Sequence, residues 1–189
     1  MTADPPLTIR PATSSDLTPI GALAALLVQS HHEFDPLRFF PATGSTPQHY
    51  ARFLGSQLDD ADAVFLVADA GGSVVGYVYA ALEGYDYMAL RGPAGVIHDL
   101  VVDPAHRGQG VGRQLLNAAL DQLTSRGAPR VVLFTAQQNH AAQRLFAQLG
   151  FRPTMIEMTR ESIAVAAETE GTEGTEEKTE GTGLHGGAE

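Results

Sequence analysis

A chain of 189 residues, 43% apolar and 18% charged, with a formal charge of −10 and no cysteine, has the length and composition of one globular domain with a sizeable core. The missing thiols exclude disulfides, zinc–thiolate centres and a cysteine nucleophile, and nothing in the acidic body makes a basic stripe for nucleic acid. The longest apolar run, nine residues from Ile20 to Val28, is too short to span a bilayer. Asp16 precedes that run and no small-x-small cleavage site follows, so it reads as a helix face rather than a signal segment; a cytoplasmic location without a membrane partner is expected.

The charge is unevenly placed. Residues 165–189 hold seven glutamates and one lysine, a net −6, which leaves −4 of the total −10 for residues 1–164. Interleaved Glu, Thr and Gly cannot bury enough apolar surface to offset the entropy of ordering, so the expectation is a domain over 1–164 and a disordered tail over 165–189.

In chain order, a strand near 7–10 leads into a helix over about 15–30 that keeps Leu17, Ile20, Ala24, Leu27 and Val28 on one face. Asp35-Pro36 breaks the pattern, and a second helix is expected over 47–58. Ala63–Ala70, the turn Gly71-Gly72 and Val74–Leu82 read as an antiparallel hairpin. A Tyr-, Asp- and Gly-rich loop over 84–93 precedes a strand at Val96–Val102. A long helix over 109–125 follows, turning Val111, Leu115, Leu116, Ala119 and Leu123 inward and ended by Gly127 and Pro129. A strand at 130–135, a helix at 139–149 with Ala142, Leu145, Phe146 and Leu149 on one stripe, and a strand at 151–160 complete a mixed α/β sheet.

The stretch Leu100-Val101-Val102-Asp103-Pro104-Ala105-His106-Arg107-Gly108-Gln109-Gly110-Val111-Gly112-Arg113 is the most informative: a strand, a turn, a glycine-rich loop and a helix start. Glycines let successive N–H groups point into one concavity and the helix adds its positive dipole end, which makes a cradle for a diphosphate. It is not a P-loop, because Arg113-Gln114 follows Gly112 and the chain's one lysine is Lys178. It is not a dinucleotide site either: the glycines stand at 108, 110 and 112, and the next strand ends Phe134-Thr135-Ala136-Gln137 without a carboxylate.

Arg107-Gly108-Gln109-Gly110-Val111-Gly112 resembles instead the acetyl-CoA loop of the GCN5-related N-acetyltransferases (GNAT), Arg/Gln-x-x-Gly-x-Gly/Ala. Asn139 to Phe151, an Asn opening a helix that closes with Leu149-Gly150-Phe151, resembles that family's second signature, and Leu7 to Asp16 its first strand and turn. The resemblance covers residues 7–161. It implies the GNAT fold, a mixed, mostly antiparallel central sheet flanked by about four helices, and an N-acetyltransferase that moves the acetyl group of acetyl-CoA to a primary amine of a small molecule or peptide. It leaves room for a homodimer without specifying one. A non-catalytic acyl-CoA sensor and a transferase for protein N-termini are the alternatives.

The resemblance also assigns residues. Main-chain groups of Leu100, Val101 and Val102 would bind the pantetheine arm as an added strand, the N–H groups from Arg107 through Gly108, Gln109, Gly110, Val111 and Gly112 to Arg113 would bind the diphosphate, and Asn139 would reach the arm. Gly110 and Gly112 are expected to be the strictest positions, and Arg107 can act through its N–H alone. The base that the family places on the strand before the loop corresponds to His98 or Asp99, with Glu83 and a water as a third route. An amine of pKa about 10.4 is neutral in only about one molecule in a thousand near neutral pH, a handicap of roughly 4 kcal/mol. An imidazole is the residue type suited to a base there. Strict alternation sends His98 to one face with Val96, Leu100 and Val102, and Asp99 to the other with Ile97 and Val101. Phe146 departs from the family pattern: it lies at the cofactor-binding position where a tyrosine often protonates the departing thiol, which leaves water or a hydroxyl such as Tyr85 or Tyr87. The acceptor would lie between the loop 31–40 and Tyr85-Asp86-Tyr87, with His31, Phe34, Tyr85 and Tyr87 as contacts, a mix that suits a cationic or amphipathic amine. His31, His32 and Asp35 lack a further spaced ligand, so no metal is expected.

Overall fold

The computed structural model describes residues 6–162. The chain divides into two compact units, 1–153 and 154–189. Among the described residues, the first holds the helices and strands: β1 (Leu7–Pro11), α1 (Leu17–Phe34), α2 (Thr46–Gly55), β2 (Ala63–Ala70), β3 (Ser73–Glu83), β4 (Ala94–Val102), α3 (Val111–Ser125), β5 (Val131–Leu133) and α4 (His140–Gln148). The mixed α/β class is the one expected. In the second unit, residues 154–162 carry no regular structure and expose Met155, Ile156 and Met158. The strand expected over 151–160 is therefore absent: its composition suits a strand, but a strand exists only where a neighbour takes its main-chain bonds, and no ladder forms along it. The expected tail over 165–189 lies outside the described residues.

The five strands follow in sequence order across the sheet, β1-β2-β3-β4-β5, antiparallel except for the β4–β5 pair. The β2–β3 hairpin is turned by Gly71 (φ 63°) and Gly72 (φ 91°), successive left-handed residues that match the twist of the flanking strands. Period-two alternation then sorts side chains to two cores. Val64, Leu66, Ala68, Val78 and Ala80 meet α3 through Leu115, Leu116, Ala119 and Leu123 on one face, while Phe65, Val67, Tyr77 and Tyr79 meet α1 and α2 through Ile20, Leu23, Ala24 and Leu54 on the other. Every inward residue expected on α3 is buried there. On α1, Ile20, Ala24 and Val28 are buried, joined by Leu23. A Cβ on Gly21 would sit 2.3 Å from the Pro47 carbonyl oxygen, so glycine sets the close crossing of α1 and α2.

The entry into α1 is tied down by charge. Asp16, 5% exposed, accepts from both terminal nitrogens of Arg10 at 2.8 and 2.9 Å and from the Thr13 N–H at 2.8 Å, and Arg10 also reaches Asp69 on β2. Those donors, led by the guanidinium, hold the Asp16 carboxyl far below its ordinary range despite its burial.

Candidate active site

Residues that pair along β3 and β4 create the site. Tyr79 lies opposite Asp99 and Ala80 opposite Ile97, so His98 is an extra residue in β4, a β-bulge. The bulge resets the alternation. Ile97 belongs to the core against α3, Asp99 accepts from the Tyr77 hydroxyl at 3.0 Å on the opposite face, and the His98 ring stacks on Tyr79, on that same face as Tyr77. His98 and Asp99 thus face the same recess, lined by Tyr50, Phe53 and Tyr79, rather than opposite sides of the sheet as strict alternation requires. One unpaired residue is the reason.

The same bulge marks where the sheet opens. β4 and β5 pair only from Gly95 with Val131 to Ile97 with Leu133, and beyond that point the outer edge of Leu100, Val101 and Val102 has no neighbouring strand. A cleft of about 260 Å³ lies there, with Leu100, Leu133, Asn139, Ala142 and Phe146 at one end and His31, Phe39, Tyr50, His98 and Asp99 at the other. Asn139 caps α4 by accepting the Ala142 N–H at 3.1 Å, which leaves its amide nitrogen for the cleft. Phe146 is buried in the wall with its ring 6.0 Å from Phe151.

At the end of β4, Gly108 (φ 75°) and Gly110 (φ 83°) both take the left-handed conformation, and Gly110 caps α3. None of the N–H groups of Gly108, Gln109 and Gly110 donates to a main-chain carbonyl. Those of Val111, Gly112 and Arg113 lie in the first turn, where a helix offers no carbonyl. The N–H groups of this turn and of the first turn of α3 are the ones here that can receive an anion. Arg107 is not among them: its N–H donates to Pro104 and its Nε to the Val102 carbonyl at 3.0 Å, so this residue locks the turn. Gly112 does not take a positive φ, and an added Cβ would make only ordinary contacts within the protein, with Val102 and Leu145 at 3.5 and 3.6 Å. Gly110→Ala is expected to cost about 1 kcal/mol in stability, whereas Gly112→Ala should leave the melting temperature unchanged; thermal melts check both. Arg113 commits its guanidinium to Gln148, joining α3 to α4.

Glu83, at the end of β3, places Oε1 2.9 Å from His98 Nε2 and Oε2 2.5 Å from Arg91. Burial pushes the Asp99 carboxyl above its ordinary value, opposed by the Tyr77 hydroxyl and the imidazoles of His98 and His31. Burial, with the Asp99 charge, pushes the Tyr50 phenol up to about 12 and the Tyr77 phenol well above its usual range.

Of the acceptor contacts expected, His31 lines the cleft, while Phe34 stands behind it at 6.1 Å, edge to ring. Phe39 and Phe40 occupy the wall instead, the first held there by the bond its carbonyl accepts from His32 Nδ1. Tyr85 and Tyr87 stack on each other, 73% and 83% exposed, and are not in the walls. Their loop is closed on itself by Asp86, which pairs with Arg91 and accepts from Met88 and Ala89. Tyr77 and Tyr79 read as core by strand alternation, and Tyr50 and Phe53 stand on α2 without a motif, so none carries a signal of a site along the chain.

The sheet thus opens beside a glycine-lined turn, with a His–Glu pair at the opening, in a mixed α/β protein. The chain belongs to the acetyltransferase (GNAT) family, whose model matches residues 27–151. It is 42% identical over 93 residues to a mycothiol acetyltransferase of Thermobispora bispora, covering 47% of this chain and 30% of that protein. The chain thus spans about a third of the mycothiol acetyltransferases it matches. An uncharacterized N-acetyltransferase of Bacillus subtilis, YhfO, is 29% identical over 147 residues, covering 77% of this chain and 89% of that one. Among solved structures, the aminoglycoside N-acetyltransferase AAC(6')-Iy in complex with CoA superposes with a TM-score of 0.65 at 19% identity, over 86% of this chain and 99% of that one, a likeness of fold.

Proposed function

We propose that this chain transfers the acetyl group of acetyl-CoA to a primary amine of a small molecule or peptide, by direct attack in a ternary complex. The opening between β4 and β5 immediately above the free N–H cradle carries this reading. The diphosphate would rest on Gly108–Arg113, the arm along Leu100–Val102 with Asn139 beside it, and the thioester beside His98 and Phe146. With Glu83 Oε1 2.9 Å from its Nε2, His98 takes the ammonium proton, and the Glu83 carboxylate, steadied by Arg91, stabilises the imidazolium that forms. The freed amine attacks the thioester carbonyl, the C–N bond forms, the adduct nitrogen gives up its second proton to the departing sulfur or to water, and the C–S bond breaks to release CoA, while the imidazolium returns its proton to solvent. Calorimetric titration of acetyl-CoA, CoA and NAD into the full chain tests the reading: micromolar binding of the first two and none of NAD is expected, followed by amine-dependent thiol release.

Phe146 gives the sensor reading its one supporting observation, a wall residue that donates no proton. Tyr85 and Tyr87 stand too far out to replace it, and the Tyr50 phenol, pushed up to about 12, is a weaker acid than a thiol of pKa about 8.5. A thiolate of that basicity leaves readily, so Phe146→Tyr is expected to change kcat by less than about tenfold. A larger gain, measured where chemistry limits turnover, would favour a chain impaired as an enzyme.

A further inference from the structure

We propose that the acceptor is an amphipathic monoamine, its ammonium held against Asp99 and its aromatic or branched apolar body seated among Tyr50, Phe53 and Tyr79. This rests on reading the cleft as an acetyl-transfer site and narrows what that site accepts. Two recesses meet there. The first runs under the open edge of β4, and the second is walled by Tyr50, Phe53 and Tyr79; both share Tyr50, His98 and Asp99. A nitrogen at that junction is the point of the second recess nearest the arm, so the rest of the acceptor extends into the aromatic one.

The rings of that recess are held in place. Phe53 meets Tyr79 edge to face at 6.5 Å and Tyr50 at 6.4 Å, and Tyr79 is pinned by its hydroxyl to Gln57 and by its stack on His98. Such faces favour a cation carried on an apolar body. Among the described residues, no arginine or lysine lines either recess, and Arg91, the cation beyond His98, is engaged by Glu83. A phosphate or carboxylate on the acceptor would therefore face Asp99 with no guanidinium or ammonium beside it, only the imidazoles of His31 and His98, while an ammonium pairs directly with Asp99, which is 8% exposed and hydrogen-bonded to one neutral phenol.

The test is steady-state thiol release by the full chain with acetyl-CoA and three amines: phenethylamine, glucosamine phosphate and glutamate. Phenethylamine should exceed both others in kcat/KM by at least about tenfold. Asp99→Asn should raise its KM by about tenfold or more while acetyl-CoA still binds by calorimetry; because burial penalises the native carboxylate, this variant should fold at least as stably as the wild type. Phe53→Ala, at a position 55% exposed, should lower the phenethylamine-to-ethylamine ratio of kcat/KM at least about fivefold. Acetyl-CoA binding with preference for the phosphate or the amino acid, or with no turnover of phenethylamine, overturns the acceptor class and leaves the coenzyme site standing. Failure to bind acetyl-CoA overturns both.

Discussion

His98→Gln is expected to lower kcat by about 10²- to 10⁴-fold, the range a positioned base supplies. The residue is placed for that role by the bulge, by its stack on Tyr79 at 5.3 Å and by the 2.9 Å contact with Glu83. Glutamine keeps a polar group of similar reach and cannot take the proton. The variant can use only amine that is already neutral, so its rate should climb about tenfold per pH unit until the amine pKa near 10.4, more steeply than the wild type. Glu83→Gln should fall between the two, because the imidazole stays while the charge that stabilises its protonated form is gone. Should His98→Gln retain more than a tenth of wild-type kcat while Asp99→Asn loses it, the base is Asp99.

Asp16→Ala should destabilise the fold by about 2–3 kcal/mol, measured by urea unfolding at neutral pH. Removing one partner of a buried ion pair costs about 3–5 kcal/mol, and Arg10, with a side chain 35% exposed, recovers part of that from water and from Asp69. The Thr13 N–H loses its acceptor as well. The sign with pH follows from the depressed carboxyl: its contribution is complete above the unfolded value of about 3.9 and disappears as pH falls toward the folded one. The acid limb of the wild-type stability curve below about pH 4 should therefore be steeper than that of Asp16→Ala. Equal slopes would place the network's stabilisation elsewhere.

Much of this fold was legible from local signals. Alternation and two left-handed glycines give β2 and β3 within a residue of their expected ends, and the apolar stripe gives α3. Helix α1 runs to Phe34, four residues past the expected end, because His31 and His32 continue the helix without extending its apolar face. The turn between β4 and α3 was readable from its glycines, since φ at Gly108 and Gly110 is a property of the loop itself. That Arg107 turns back to Val102 was not, because a guanidinium on a long flexible stem can reach many acceptors.

Residue type and spacing by themselves determined most of the elements, the family and the glycine-lined turn after β4: helical and strand periods and positive φ are local properties. Tertiary structure alone decided which residues share the cleft. A bulge exists only between two strands in register, so the common orientation of His98 and Asp99 is set by β3 as much as by β4. Glu83 reaches His98, and Tyr77 reaches Asp99, across that same pairing. Tyr50 and Phe53 arrive from a helix whose position depends on the close approach of Gly21 to Pro47. None of those meetings has a signature along the chain, because each depends on the register and crossing of elements distant in sequence.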